Sequence, residues 1–233
     1  MTLDISILFD EPILDVEASL EVEALAPLSM VSTLPGSYYK CVDSPTKQQL
    51  AGALENVLGW HIGNKDRKEI RKRMKKHLKK NYRYELTDNP SAVGFAPLID
   101  HLFEVDLTYV PRVVCRYDDY WTQFLKDTDE RHIKGTPNID SNLLRLKNGL
   151  KKDEKGNHLD PELQKFFKGN IDQFPMYYSS PTPREFIVLN LPYRLKLRMK
   201  SDLFYYLDTC LQYANIGYLG TSEGWIHMSI SKS

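Results

Sequence analysis

The chain has 233 residues, which is enough for one large domain or for a domain with an insertion. Of these residues 42% are hydrophobic and 27% are charged, a composition typical of a soluble globular protein. No run approaches the roughly 20 apolar residues that span a bilayer, no basic segment typical of a signal peptide opens the chain, and three isolated cysteines favour a reducing compartment, so we expect a cytoplasmic protein with no membrane segment. The net charge of zero conceals a separation, because residues 65–83 carry eleven Lys or Arg against two acidic residues, a local charge of +9 that leaves −9 on the rest of the chain.

The amino-terminal residues predict β-structure. Residues 4–24 alternate loosely between apolar and polar side chains, and residues 10–12 indicate a break, so we expect one strand or two. A second apolar stretch, residues 27–35, leads into a loop at Gly36.

A helix with clear end signals follows this loop. Ser44 is suited to the N-cap and Pro45 to the first helical position. Gly59 lies where a left-handed C-cap is wanted. The apolar face between these ends comprises Leu50, Leu54, Val57 and Leu58. Two tyrosines and a lysine arrive just before the helix N-terminus, a place suited to an anion such as phosphate.

Residues 64–80 predict a second helix, which is strongly basic. Its apolar stripe is narrow and consists of Ile70, Met74 and Leu78 at four-residue spacing. Such a helix can simply be solvated on most of its surface. Eleven clustered cations repel one another unless phosphates or an acidic surface relieve them, so we favour nucleic acid as the partner. The expected contacts with a nucleic-acid backbone or a protein partner are Arg67, Arg71, Lys75 and Lys79.

Turn residues then give way to β-formers. Residues 84–99 predict a loop, and residues 102–117 predict strands that Pro111 interrupts at an edge or bend. Arg112 and Arg116 would share one strand face, where they could contact a phosphate backbone or be ordinary surface arginines.

The middle of the chain, residues 127–181, has weak periodicity and predicts an insertion or arm. Helix is expected near residues 139–150 and 161–168. Because the segment is too long for an ordinary connection, we expect it to contact a partner or to be mobile when free.

Order returns in the carboxy-terminal quarter. A strand is expected at residues 185–189, followed by perfect alternation over residues 193–200. The outer face of that second strand would be wholly cationic, with Arg194, Lys196, Arg198 and Lys200. Four like charges on one strand favour a polyanion partner, although a solvated edge remains the alternative. Ser201 is expected to cap the next helix, and a glycine-punctuated loop leads to a last strand at residues 225–230.

These elements together predict a ferredoxin-like fold. The order is β-α-β-β-α-β with the insertion in the middle, which is an α+β architecture with helices on one sheet face. We expect one domain over residues 1–233, with the insertion or arm at residues 127–181 inside it.

Catalytic and cofactor motifs are weak. The six histidines lack metal-ligand spacing, and no P-loop or nucleophile elbow occurs, so we expect no metal and no cofactor. A metal-independent ribonuclease could still be built from Tyr38, Lys40 and His61, and this alternative stays open.

Residues 27–62 resemble the amino-terminal signature of the CRISPR-associated Cas-five family. The helix has the form LxGxLxNxLGxH, with Leu50, Gly52, Leu54, Asn56, Leu58, Gly59 and His61. The carboxy-terminal glycines look like the glycine-rich loop of the wider RAMP superfamily of repeat-associated RNA-binding proteins, although they are less dense; they are Gly217, Gly220 and Gly224.

The resemblance implies a subunit of a type I Cascade surveillance complex, of a I-B-like kind, acting in antiviral defence. Such proteins have RRM-like folds, hold the 5′ handle of the guide RNA, and dock the backbone and large subunits. Target DNA would be reached only indirectly, through guide pairing. Most members are non-catalytic, and one branch cuts the repeat RNA.

The residue pattern and the resemblance together point to RNA contacts in three places. The loop and first turn of the capped helix would hold the handle through Tyr38, Tyr39, Lys40, Ser44, Lys47 and Gln48. The two β-rich regions would add Arg112, Arg116, Arg194, Lys196, Arg198 and Lys200, and the basic helix would supply backbone attraction.

Overall fold

The computed structural model describes residues 4–31, 38–87, 95–121, 124–125, 141–154, 156, 158–170, 177–178, 182–221 and 223–233. By its internal contacts the chain divides into two units, residues 1–119 with 183–233, and residues 120–182. The expected insertion, residues 127–181, lies within the second unit, and the assignment of the whole chain to one domain stays a prediction.

Nine strands and five α-helices are present in the described ranges, preceded by a 3-10 helix at Ser6–Phe9. The first unit begins with β1 (Val16–Ala24), α1 (Lys47–Val57), α2 (Asn64–Tyr82), β2 (Phe103–Tyr109) and β3 (Val113–Trp121). The second unit contains β4 (Phe124–Leu125), α3 (Ser141–Asn148), α4 (Asp160–Gly169) and β5 (Tyr177–Tyr178). The chain continues with β6 (Thr182–Leu189), β7 (Tyr193–Met199), α5 (Ser201–Tyr213), β8 (Ile216–Tyr218) and β9 (Trp225–Lys232).

The central sheet has five antiparallel strands in the order β2-β7-β1-β9-β8. Four of them, β1, β2, β7 and β9, reproduce the strand order of the ferredoxin-like split unit, with α1 after the first strand and α5 after the third. Helices α1 and α5 contact each other, and α5 also contacts β1 and β9. The predicted fold class is therefore confirmed, with β8 as an added edge strand that the sequence did not reveal.

Strand β7 shows why the sheet has one buried and one open face. Tyr193, Leu195, Leu197 and Met199 are buried, and the residues between them are exposed. Side chains alternate between the two faces of a strand, so the predicted apolar face packs on the helices and the charged face points away from them.

Helix α1 ends as predicted and begins differently. Gly59 has a φ of 71°, its N–H donates to the Asn56 carbonyl and the Trp60 N–H donates to the Glu55 carbonyl, which is a Schellman motif. The N-cap is Thr46, not Ser44. Its hydroxyl accepts from the Gln49 N–H at 3.3 Å while the Gln49 side chain accepts from the Thr46 N–H at 2.8 Å, a reciprocal capping box.

The prediction of one or two strands in residues 4–24 is met by a single strand, β1, and residues 6–9 form a 3-10 turn in which the consecutive Ile7 and Leu8 are both buried. The predicted cap of α5 was wrong. The N-cap of α5 is Lys200, and the amide of Ser201 is satisfied by Asp15 Oδ1 at 2.8 Å, so the serine is the first helical residue.

The second unit has a small core of its own. Leu143 of α3 and Leu163 of α4 are buried together, with Leu150 and Phe166 packed against them. Both helices lie where the sequence predicted them. In the described parts of the chain no helix is long and apolar enough to cross a membrane.

Candidate nucleic-acid interface

The segment before α1, residues 38–43, is called the tyrosine loop below, and it is joined to β6. The Tyr39 N–H donates to the Pro183 carbonyl at 3.1 Å, and the Glu185 N–H donates to the Tyr39 carbonyl at 2.9 Å. The Arg184 guanidinium lies 4.4 Å from the centre of the Tyr39 ring, a cation–π distance. The face of Tyr39 is thus already covered by a cation on one side.

A second set of contacts joins the tyrosine loop to β3. The Tyr38 hydroxyl donates to Asp118 Oδ1 at 2.6 Å, and this bond raises the pKa of Tyr38 to about 12. Arg116 is ion-paired to Glu185 at 3.3 Å and also to Asp43. The expected RNA contacts Tyr38 and Arg116 therefore have acidic partners within the protein, whereas Lys40 is exposed.

The first turn of α1 is partly open. Ser44 and Gln48 are half-buried, and Lys47 is exposed with its Nζ 5.4 Å from the Phe103 ring centre. Arg112 is exposed between β2 and β3. These four side chains can be reached from solvent without breaking an ion pair that the described contacts contain.

The cationic face of β7 is neutralised by its neighbours in the sheet. Register places acidic residues of β1 and β2 opposite it, in the cross-strand pairs Glu17↔Arg198, Glu21↔Arg194, Glu104↔Arg198 and Asp106↔Lys196. Arg194 Nε lies 3.1 Å from a Glu21 carboxylate oxygen, and Arg198 is ion-paired to Glu104. Lys200 follows the strand and lies 2.8 Å from Asp202 and 3.8 Å from Asp10. The counter-charge that the sequence argument sought in a polyanion is supplied inside the sheet.

The inner side of α2 is ionic at its amino-terminal half. Arg67 and Arg71, each 4% exposed, follow the same helical face as Met74 and Leu78. Arg67 Nη1 lies 2.5 Å from Glu55 Oε2, and its guanidinium stacks 4.5 Å from the centre of the Phe95 ring.

Arg71 fixes the chain on both sides of residues 88–94. It donates to the Thr87 carbonyl at 2.9 Å, to the Pro97 carbonyl, and to Asp100 Oδ1 at 3.1 Å. Because Arg67 and Arg71 are buried in such contacts, they cannot reach a partner's phosphates, which corrects the role expected of them. Of the other two expected residues, Lys79 is exposed and bridged to Glu85 at 2.8 Å, and Lys75 is half-buried.

The outer side of α2 presents cations that the sequence argument did not single out. Four exposed lysines repeat every four residues, about 6 Å apart along the axis, and together form what we call the lysine ridge: Lys68, Lys72, Lys76 and Lys80. None of the four has an ion pair among the described contacts. The sequence does contain a signal for this ridge. Arg67 and Arg71 share the helical face of Met74 and Leu78, which places the ridge lysines on the other side of α2.

The three residues nominated for a ribonuclease are not brought together. Tyr38 and Lys40 precede α1 and His61 follows it, so an 11-residue helix about 16 Å long lies between them. His61 is exposed, and no contact with either residue occurs among those described. The described residues also contain no group of three or more His, Cys, Asp or Glu placed to hold a metal ion.

The family model described as CRISPR-associated protein Cas5p matches residues 3–230, nearly the whole chain. The chain belongs to this family. A comparison with curated proteins gives no match.

Solved structures add two distant likenesses to this member of the Cas5p family. One is a chain in "Cryo-EM structure of the Type III-B Cmr-beta bound to cognate target RNA and AMPPnP, state 1", at 11% identity and a TM-score of 0.36, covering 92% of this chain. The other is a chain of the same complex bound to cognate target RNA, also at 11% identity, with a TM-score of 0.32 and 92% of this chain covered. The present chain spans 63% and 64% of the length of these two.

The glycines of this Cas5p-family chain have packing roles. A Cβ on Gly217 would lie 2.9 Å from Met228 Cε and 3.4 Å from Asn56 Oδ1 of the signature helix. A Cβ on Gly220, whose φ is 83°, would lie 2.4 Å from the Ser29 carbonyl oxygen. Close backbone approach therefore accounts for Gly220, whereas the near contact at Gly217 is with the flexible end of the Met228 side chain, which can move aside.

Proposed function

We propose that this protein is a non-catalytic RNA-binding subunit of a type I Cascade surveillance complex, holding the 5′ handle of the guide RNA and docking the backbone and large subunits. The proposal that the protein binds RNA is based on the lysine ridge. Four regularly spaced lysines with no described ion pair create a positive potential that an external anion relieves.

Membership of the Cas5p family supports the choice of RNA and of a multi-subunit setting for this ridge. The tyrosine loop and the first turn of α1 provide the local contacts in this proposal, through Tyr38, Lys40, Lys47 and Gln48. Phosphate attraction by the ridge brings the strand in, and the loop side chains then fix its position. Target DNA is met only through guide pairing.

The test is a titration of the purified chain with repeat-derived RNA over a series of salt concentrations. We expect log K to fall linearly with log salt, by roughly 0.7 for each phosphate contact on a single strand. A salt-independent affinity would contradict the proposal. Intact RNA after prolonged incubation supports a non-catalytic role, and cleavage in the presence of a chelator would instead identify a metal-independent ribonuclease.

The Cascade part has a separate test. Co-expression with the backbone and large subunits should give a complex that retains short repeat-sequence RNA through purification. Failure of assembly with normal RNA binding would leave the chain an RNA-binding protein and remove it from Cascade.

A further inference from the structure

The open face of the central sheet carries a patch of aromatic and aliphatic side chains at its β8 edge. Leu25 continues the register of β1, because its N–H donates to the Trp225 carbonyl at 2.9 Å, and Trp225 is paired in turn with Tyr218 of β8. These three residues form one row across the strands. The next row consists of Glu23, His227 and Ile216. We call the six residues, all of them in the first unit, the aromatic corner.

The aromatic corner is largely apolar and yet open to solvent. Leu25 is 53%, Ile216 51% and Trp225 45% exposed, and the Trp225 and Tyr218 ring centres are 4.5 Å apart. On the other side of the same strands Ile226 is fully buried. One exposed apolar residue is ordinary, but four neighbouring ones, two of them aromatic, are the composition of the centre of a protein–protein interface.

The pairing of β8 with β9 leaves backbone groups open beside this corner. Residues that face each other in an antiparallel pair exchange hydrogen bonds only at alternate positions. The Met228 N–H donates to the Asn215 carbonyl at 2.8 Å, so these two residues are a bonded pair. By alternation Gly217 also faces β9, and the N–H and C=O groups of Ile216 and Tyr218 point away from the sheet. No hydrogen bond among the described contacts engages these four groups.

Strand β8 is an edge strand of the central sheet, and its sequence lacks the usual protection of an edge. Natural edges commonly carry lysine or proline, whereas residues 214–231 contain no Lys, Arg or Pro. Open backbone donors and acceptors beside a row of apolar side chains are the features with which a protein takes up an extended segment as an added strand. The lack of cations also makes this edge unsuitable for the phosphates of RNA.

The charges near the aromatic corner define the kind of segment that fits. Glu23 belongs to the corner and Glu223 lies in the loop before β9, and both are exposed. Glu23 has no ion pair among the described contacts. A segment with positive charge therefore complements this edge.

We propose that strand β8 takes up an extended segment of another protein subunit, with apolar residues at alternate positions and a net positive charge. The added strand would bond to the open groups of Ile216 and Tyr218, and its apolar side chains would continue the two rows of the aromatic corner. The inference rests on the proposed function, because it identifies one surface by which the chain docks a subunit of its complex.

The test uses the full chain and measures its dissociation constant for the Cascade backbone subunit and for the large subunit. Ile216→Lys places a cation against the positive segment, so the affinity for one of the two subunits should fall at least about tenfold. Ile216→Glu removes the same apolar side chain but adds a favourable charge, and should stay within about threefold of the parent chain. Ile13→Lys is the matched control, since Ile13 is 55% exposed beyond the other end of β1, and it should bind like the parent.

Hydrogen exchange in the complex is a second measurement, and it needs no variant. Chain fragments that contain the amides of Ile216 and Tyr218 should exchange rapidly in the free chain, because these amides have no acceptor, and slowly in the complex. Fragments around Ile13 should exchange alike in both states. Protection of the edge amides together with the loss in Ile216→Lys supports strand addition.

The other outcomes overturn the inference in whole or in part. Parent-like affinity of Ile216→Lys, or no protection of the edge amides, removes β8 as the docking strand and leaves the proposed function standing. Equal losses for Ile216→Lys and Ile216→Glu contradict the positive charge of the segment. If Trp225→Ala weakens repeat-derived RNA and not the subunits, the corner binds bases instead of protein. A parent chain that protects its edge amides in the complex but binds no RNA keeps the docking strand and loses the RNA part of the proposed function.

Discussion

Strand β7 and helix α2 carry the two most basic surfaces of the sequence, and the fold treats them in opposite ways. On β7 the arginines face glutamates of β1 and β2, so the strand is cationic only when its neighbours are ignored. On α2 the buried arginines are paired, and the four lysines of the lysine ridge have no described ion pair. A run of basic residues therefore adds to the surface charge only where the topology places no acidic residues beside it.

Geometry explains the difference. Each residue of a central strand has neighbours on both sides at about 5 Å, so one acidic strand next to a basic one cancels its charge along the whole length. On an exposed helix face, the neighbours that can neutralise a charged residue are mainly those three and four positions away in the same helix. In α2 these are mostly further lysines, with Glu69–Arg73 as an exception.

Breaking the buried ion pair of α2 should cost the most stability. Glu55→Gln leaves Arg67 buried without its counter-charge, and we expect the free energy of unfolding to fall by about 3 to 5 kcal/mol. Chemical denaturation measures this. Burial raises the pKa of Glu55, while the Arg67 guanidinium and the Leu98 amide act in the opposite direction because they stabilise the ionised carboxylate. Glu55→Gln removes the charge on which these two interactions depend.

Its matched control lies on β1, opposite β7. Glu21→Gln breaks the exposed pair with Arg194, which should cost less than about 1 kcal/mol because solvent screens both charges. Equal losses for the two variants would show that the inner contacts of α2 are no stronger than surface pairs, and would undo the contrast between the two regions.

The second effect concerns RNA. Replacing the four ridge lysines by glutamine should weaken binding of repeat-derived RNA roughly hundredfold at physiological salt and reduce the salt slope by about 3, since up to four phosphate contacts are lost. The matched variant replaces Arg194, Lys196 and Arg198 by glutamine and should change affinity far less, because these cations already have acidic neighbours. A greater loss from the strand variant would place the RNA on the sheet face.

The sequence was sufficient for the fold because local and periodic signals agree there. Gly59 fixed the end of α1, the alternation over residues 193–200 fixed β7, and the order of elements fixed the ferredoxin-like sheet. It was insufficient for β8, a three-residue strand whose pairing with β9 depends on a loop return that leaves no periodic pattern. Thr46 displaced Ser44 as the cap because the partner that completes the capping box, Gln49, lies three residues after Thr46.

The site was harder to predict than the fold because it depends on long-range partners. Glu55 and Arg67 are 12 residues apart and on different helices, and Arg116 meets Asp43 and Glu185 across more than 60 residues. No local sequence pattern predicts these ion pairs. The lysine ridge could have been found, since it needs only the helical register of Met74 and Leu78, but its importance depends on knowing that the arginines face inward.

Removing two glutamates from the sheet should make the face of β7 cationic, as the outer side of α2 already is, and should change RNA affinity only modestly. If in-sheet glutamates are what silence β7, then Glu21→Gln with Glu104→Gln should uncover Arg194 and Arg198 and raise RNA affinity roughly threefold to tenfold, with a steeper salt slope. The salt titration on repeat-derived RNA measures both quantities. Glu223→Gln, an exposed acidic residue in the loop before β9, adjusts the total charge by one unit without touching the sheet face and controls for net charge. If the affinity gain per removed charge is no greater than that of the control, the face of β7 does not contact RNA even when it is cationic. The RNA would then bind α2 because of the position of the helix as well as its charge.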